Sequence, residues 1–213
     1  MYESILLSLK LAFLSTLILL FLCIYPAYFL ARKEFFLKKV FLAFISLPLV
    51  LPPTALGFYL LILFSPNNAL GRFLASFDIS FVFNFKAILF ASCIYSLPFM
   101  FNPLYSAFSQ LPKSLYERAF LLGKSTSLII FRLCLPCVKR SLISAIVMSF
   151  AHTMGEFGVI MMIGGSKVGQ TKVASIEIFE AIENLDYARA NDIALILLLI
   201  SFCILFIMQF IKK

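Results

Sequence analysis

From Leu11 to Leu30 the chain carries no charged side chain. A run of that length constrains the fold more than any other feature, because about 20 apolar residues span a bilayer, whose core accepts only backbone that is hydrogen-bonded internally. The run is longer than the apolar stretch of a signal peptide and follows Glu3 instead of a basic flank, so it is expected to remain as an uncleaved membrane helix. Similar runs recur at about 40–64, 81–101, 141–163 and 193–211. Hydrophobic residues make up 62% of the 213 positions and charged residues 13%, against about 25% charged in soluble domains, which excludes a soluble single-domain enzyme. The expectation is one all-α membrane domain over residues 1–213, with about five spans and no separate aqueous domain.

The charges then orient the spans. Assigning the loops alternately to two sides gathers Arg32, Lys33, Lys38, Lys39, Lys113, Arg118, Lys124, Arg132, Lys139, Arg140, Lys212 and Lys213 on one of them, 12 of the 18 Lys and Arg. Cations concentrate in cytoplasmic loops, so this side is the cytoplasm, with the N-terminus outside and the C-terminus inside. The formal net charge of +8 is thereby a topology signal and a contact for anionic membrane lipid, and implies no nucleic acid. The five cysteines, including the Cys134/Cys137 pair, lie scattered through apolar runs and read as reduced, buried hydrophobes.

Three stretches depart from simple spans. Pro48, Pro52 and Pro53 fall within the second run and should kink or break it. Outside, Glu177, Glu180 and Glu183 at spacing three, beside Ile176, Phe179 and Ile182, suggest a short surface helix between Lys172 and Asn184. Inside, residues 105–140 mix charge with apolar residues: Leu115 to Leu122 suit a short amphipathic helix, Gly123 its C-terminal turn, and Leu135-Pro136 the return to the membrane. Such a helix either docks onto a partner or lies on lipid. The sequence Gly123-Lys124-Ser125 ends like a phosphate-binding loop, but that loop needs a glycine where Arg118 stands, so no nucleotide or other cofactor is expected on this chain.

Near the end of the fourth run stands Phe150-Ala151-His152-Thr153-Met154-Gly155-Glu156-Phe157-Gly158. An acid in a span faces a partner or a wet cavity, and His152 and Glu156, four apart, can pair on one helix face. Gly155 and Gly158 allow another backbone to approach. A structural contact between helices accounts for this group as well as a functional site does. His152 has no second ligand for a metal.

Glu117, Ala119 and Gly123, followed by Leu133-Cys134-Leu135-Pro136, match the spacing of the EAA loop and so resemble the permease subunits of bacterial ABC importers. Arg118 and Leu133 stand where that loop usually has alanine and isoleucine. Gly155-Glu156-Phe157-Gly158 with Gly164-Gly165, the segment from Leu47 to Thr54, and Asp186-Tyr187-Ala188 are similar to the molybdate-transport permeases, from about Leu7 to Ile200. The resemblance implies the type I ABC importer permease fold and a homodimer. It also implies ATP-binding cassette subunits below and a periplasmic or surface oxyanion-binding protein above. It assigns Glu117, Ala119, Gly123, Leu135 and Pro136 to a coupling helix that contacts the ATPase subunit. The translocation path or gate would comprise Pro52, Pro53, Thr54, His152, Gly155, Glu156 and Gly158, with Pro53 opening a half-helix whose positive end and Thr54 hydroxyl present donors. Glu156 would repel a dianion, so packing or gating suits it better than cargo binding. Sulfate and tungstate permeases remain rivals, and from other classes so do an intramembrane enzyme and a membrane scaffold.

Overall fold

In a computed structural model of the chain, residues 2–211 are described, and their regular structure is helical throughout. Lys212 and Lys213, expected to cap the last span, lie outside the described residues. In chain order the elements are α1 (Tyr2–Arg32), α2 (Lys38–Ser46) with a tight turn at Leu47–Leu49, α3 (Pro53–Phe64), α4 (Ala69–Ala75), α5 (Phe85–Gln110) and α6 (Lys113–Leu121). There follow α7 (Thr126–Leu128), a π-helical stretch (Ile129–Cys134), α8 (Leu135–Cys137), α9 (Lys139–Met154), α10 (Gly158–Gly164), α11 (Ala174–Glu183) and α12 (Tyr187–Ile211).

Among the described residues, three helices, α1, α5 and α12, are long and apolar enough to cross a membrane, and the number reaches five if each of two sharply bent helix pairs forms a span. In the first pair the helix from Lys38 to Leu49 meets α3 at 108°. Pro52 adopts φ −54°, ψ 133° and Pro53 begins α3, so the proline cluster breaks the run completely. In the second pair the segment Thr126–Cys137 meets α9 at 86°. The bend falls at Val138, two residues after Pro136.

The fourth run is also interrupted, because α9 stops at Met154 and α10 resumes only at Gly158. The second and fourth runs each end in a short half-helix, and these two pack together. A Cβ on Gly57 of α3 would come within 2.8 Å of the Met162 Cβ and 2.9 Å of the Val159 carbonyl. One on Gly158 would meet the Pro53 Cβ at 2.8 Å and the Thr54 Cγ2 at 3.3 Å. The first residues of α3 thus lie beside the first residue of α10, and later residues beside later ones, which makes the half-helices parallel.

The half-helices lean on a bundle of α1, α5 and α9. Lipid tails are as apolar as leucine, so helices in a bilayer gain little from apolarity alone and associate through small residues that permit close approach. Ala12, Ser15, Ala27, Ala87, Ala91, Ser92, Ser96, Ala145 and Ser149 are accordingly all buried. Larger side chains fill the space at either end: Leu11, Ile88, Val159, Ile160 and Ile163 beside the half-helices, and Leu19, Phe101, Leu104, Phe108 and Ile130 towards α6.

The helix expected on the surface between Lys172 and Asn184 forms as α11, but Glu177 is only 3% exposed. Its Oε1 accepts from Arg189 Nε at 3.2 Å and Nη2 at 2.5 Å, because the start of α12 folds back against α11. Burial pushes the Glu177 carboxyl up, but hydrogen bonds from Ser4 and Arg189 outweigh it and hold the group well below the usual carboxylate range.

Gly57→Ala should therefore destabilise the purified protein by about 1–3 kcal/mol, the usual cost of overpacking. Gly155→Ala, whose Cβ would meet nothing nearer than 3.9 Å, should leave the melting temperature unchanged.

Candidate functional site

Where the two interruptions meet, a cavity of about 560 Å³ is lined by Pro53, Thr54, Tyr95, Ala151, His152, Gly155, Glu156, Phe157 and Gly158. Six of the seven residues singled out as a path or gate converge here from segments some hundred positions apart. Pro52 immediately precedes the site as the cap of α3. Three helix ends meet at the cavity: the C-terminus of α9 and the N-termini of α3 and α10. Its depth follows from Ser96, which touches His152 and lies near the middle of the 26-residue α5.

His152 is held on three sides. Its Nδ1 is 2.9 Å from Ser96 Oγ, its ring stacks on Phe99 at 3.9 Å between centroids, and Tyr95 lies at 4.9 Å. Ser96 Oγ also reaches Thr153 Oγ1 at 2.8 Å, and Thr153 in turn donates to the Ser149 carbonyl at 3.0 Å. A chain of hydroxyls thus runs from the cavity wall into the α5–α9 contact.

The expected pairing of His152 with Glu156 does not form. Helical periodicity would place them on one face, but α9 ends at Met154, and Glu156 falls in the three-residue break before α10. The Glu156 residue is 4% exposed, and its carboxylate has beside it only the buried Ser92 hydroxyl, at a geometry too loose for a well-formed hydrogen bond. Only its backbone is anchored, with the carbonyl accepting from Ser175 Oγ at 2.6 Å. Tyr95 and Ser96 were not singled out by the sequence; the only signal they carry is a pair of hydroxyls in an apolar run.

A second candidate site lies at the end of the bundle where α5 gives way to α6. The inner amphipathic helix forms as α6, slightly earlier than Leu115 to Leu122. Gly123 at φ +69° ends it, with Gly123 N–H donating to the Phe120 carbonyl at 2.9 Å and Lys124 N–H to that of Ala119 at 3.2 Å, a left-handed cap that favours glycine. Tyr116 and Ala119 face the bundle, whereas Glu117, Phe120, Leu121 and Leu122 are exposed, the last three at 70%, 84% and 75%. Beneath them a cavity of about 490 Å³ is lined by Tyr28, Tyr116, Glu117, Phe120, Leu121, Thr126 and Ile129. Leu135 packs against the bundle, while Pro136 is exposed beside Lys139 and Arg140. The five residues expected to couple therefore divide into an exposed face, a packed face and a turn.

Residues 22–213 match the family described as binding-protein-dependent transport system inner membrane component. Among similar proteins, the molybdenum transport system permease protein ModB of Azotobacter vinelandii is 38% identical over 204 residues, covering 95% of this chain and 90% of that protein. The ModB protein of Haemophilus influenzae is 31% identical, covering 93% and 89%. The sulfate transport system permease protein CysT of Synechococcus elongatus is 33% identical over 183 residues, and the chain spans 66% of its length.

A buried carboxylate with no cation and only the Ser92 hydroxyl beside it costs stability, so Glu156→Gln, which keeps the shape and removes the charge, should raise the melting temperature of the purified protein. A lower melting temperature would show that the carboxylate has a stabilising partner.

Proposed function

This chain belongs to the binding-protein-dependent transport system inner membrane components, transport subunits that are not themselves enzymes, and from that premise we propose that it moves molybdate into the cytoplasm. ATP hydrolysis is supplied by a partner subunit, and a soluble binding protein delivers the anion. The observation that carries the cargo assignment is the end-to-end likeness to two molybdenum permeases. Sulfate permeases are similar over most of this chain but extend well beyond it. In this reading two copies face each other, with N-termini outside and C-termini inside, an orientation supported by the excess of cations around α6.

The chemistry of the first cavity suits a tetrahedral dianion held weakly. The N-terminus of α3 presents the positive end of a half-helix, and the hydroxyls of Thr54 and Tyr95 supply neutral donors. Glu156 opposes the anion's charge, which prevents a tight resting complex and fits the carboxylate to a gate. Selectivity then rests with the binding protein, because a path that held its cargo tightly would release it slowly. At the other end of the bundle, exposed Glu117, Phe120, Leu121 and Leu122 offer the ATPase subunit a mixed polar and apolar contact, and Gly123 fixes the turn that presents it.

Reconstitution of the chain with its ATPase and binding protein tests the reading. ATP-dependent molybdate uptake is expected, and Thr54→Val should slow molybdate and tungstate uptake alike by about tenfold, the scale of one lost hydrogen bond to a charged group. Sulfate carried in preference to molybdate would overturn the cargo, and a chain that binds no ATPase subunit would overturn the transporter.

A further inference from the structure

The last residue of α1, Arg32, stands at a junction of three elements. Its Nη1 donates to the Leu111 carbonyl at 3.0 Å, on the peptide that separates α5 from α6. Its guanidinium carbon lies 4.2 Å from the centre of the Tyr116 ring, in the second turn of α6, and 6.0 Å from that of Tyr28 in α1. One edge of the planar cation holds the end of α5, and one face holds α6. The remaining donors, Nε and Nη2, are buried without a hydrogen-bond partner among the described residues.

A guanidinium is well suited to such a junction, because it stacks through its face while donating through its edge, and it stays charged in both uses. Lysine offers a point charge and can satisfy only one of the two contacts. Two buried donors left idle are costly, so the edge bond to Leu111 and the stack on Tyr116 are the contacts that hold the cation in place. The junction thus ties three helices together through one side chain.

Its location gives the junction a purpose. Arg32 and Leu111 terminate α1 and α5, and further along the same helices Ser15 and Ser96 both contact Thr153 behind the first cavity. From Ser96 to Gln110 α5 continues as a helix through Pro98 and Pro103 and extends about 21 Å at 1.5 Å per residue. We propose that Arg32 is a positioning residue that clamps α6 to the ends of α1 and α5, so that a displacement of α6 by the ATPase subunit reaches the helices walling the anion cavity. This inference rests on the reading of the chain as a permease and adds to it the residue through which movement passes.

The test compares Arg32→Lys, Tyr116→Leu, the double variant and Tyr116→Phe in the full complex of permease, ATPase subunit and binding protein, reconstituted in liposomes. Arg32→Lys and Tyr116→Leu should assemble with the ATPase subunit as wild type does and hydrolyse ATP at a basal rate within about twofold of it. Each should lose at least about tenfold of the ATPase stimulation by loaded binding protein. The double variant should be no worse than either single one, since both break one contact. Tyr116→Phe, which keeps the ring, should behave as wild type. In the permease alone, in nanodiscs, Arg32→Lys should speed hydrogen exchange across residues 113–122, a readout that does not depend on transport. Full stimulation in Arg32→Lys, or losses in the two single variants that multiply in the double, would overturn the clamp. Faster exchange in a permease that recruits no ATPase subunit would uphold the local junction and overturn the permease reading instead.

Discussion

A bilayer leaves an interrupted helix with orphaned backbone groups, and this architecture depends on two such interruptions lying against each other. The chain breaks before Pro53 and again between Met154 and Gly158, and the half-helices that follow, α3 and α10, run side by side. Irregular backbone at membrane depth persists only where protein covers it or where it lines a cavity. Gly57 and Gly158 make the cover possible by admitting the neighbouring backbone, and the space left between the break points is the cavity of Thr54, His152 and Glu156. Close packing and cavity arise from one arrangement.

The cavity and the α6 surface lie at different levels of the same helices. Tyr95, Ser96 and Phe99 fix the His152 wall from the middle of α5, and the end of α5 is where Arg32 meets Leu111. Two unbroken helices, α1 and α5, thus connect two regions built from broken ones. Continuous helices that reach both regions suit transmission over such a distance, since packed helices shift as units.

Much of this was legible in local sequence, where the physics is local. The three prolines between positions 48 and 53 announce the break before α3, and Gly123 announces a left-handed turn, because each residue type restricts or frees its own backbone. Pro53 and Thr54 line one cavity with His152 and Glu156, a neighbourhood that no local segment of the sequence encodes. The His152–Glu156 pair that spacing four allows does not form, because the helix ends at Met154, before Gly155. Glu177 was expected on a surface and is buried, because the Arg189 that compensates it arrives from the next helix. Contacts such as Ser96 with His152, or Arg32 with Tyr116, join residues dozens of positions apart, and nothing in either local segment encodes the other.

The central claim is that the cavity between the broken helices is the anion path. The direct measurement is thiol accessibility at Thr54→Cys, in a background whose five native cysteines are replaced, within the complete complex in liposomes. Modification by a membrane-impermeant thiol reagent should be slowed by molybdate, and the side from which it occurs should switch between the nucleotide-free and ATP-bound complexes. A thiol at position 54 that reacts from neither side in either state, while the complex still transports, would contradict the claim and move the path elsewhere.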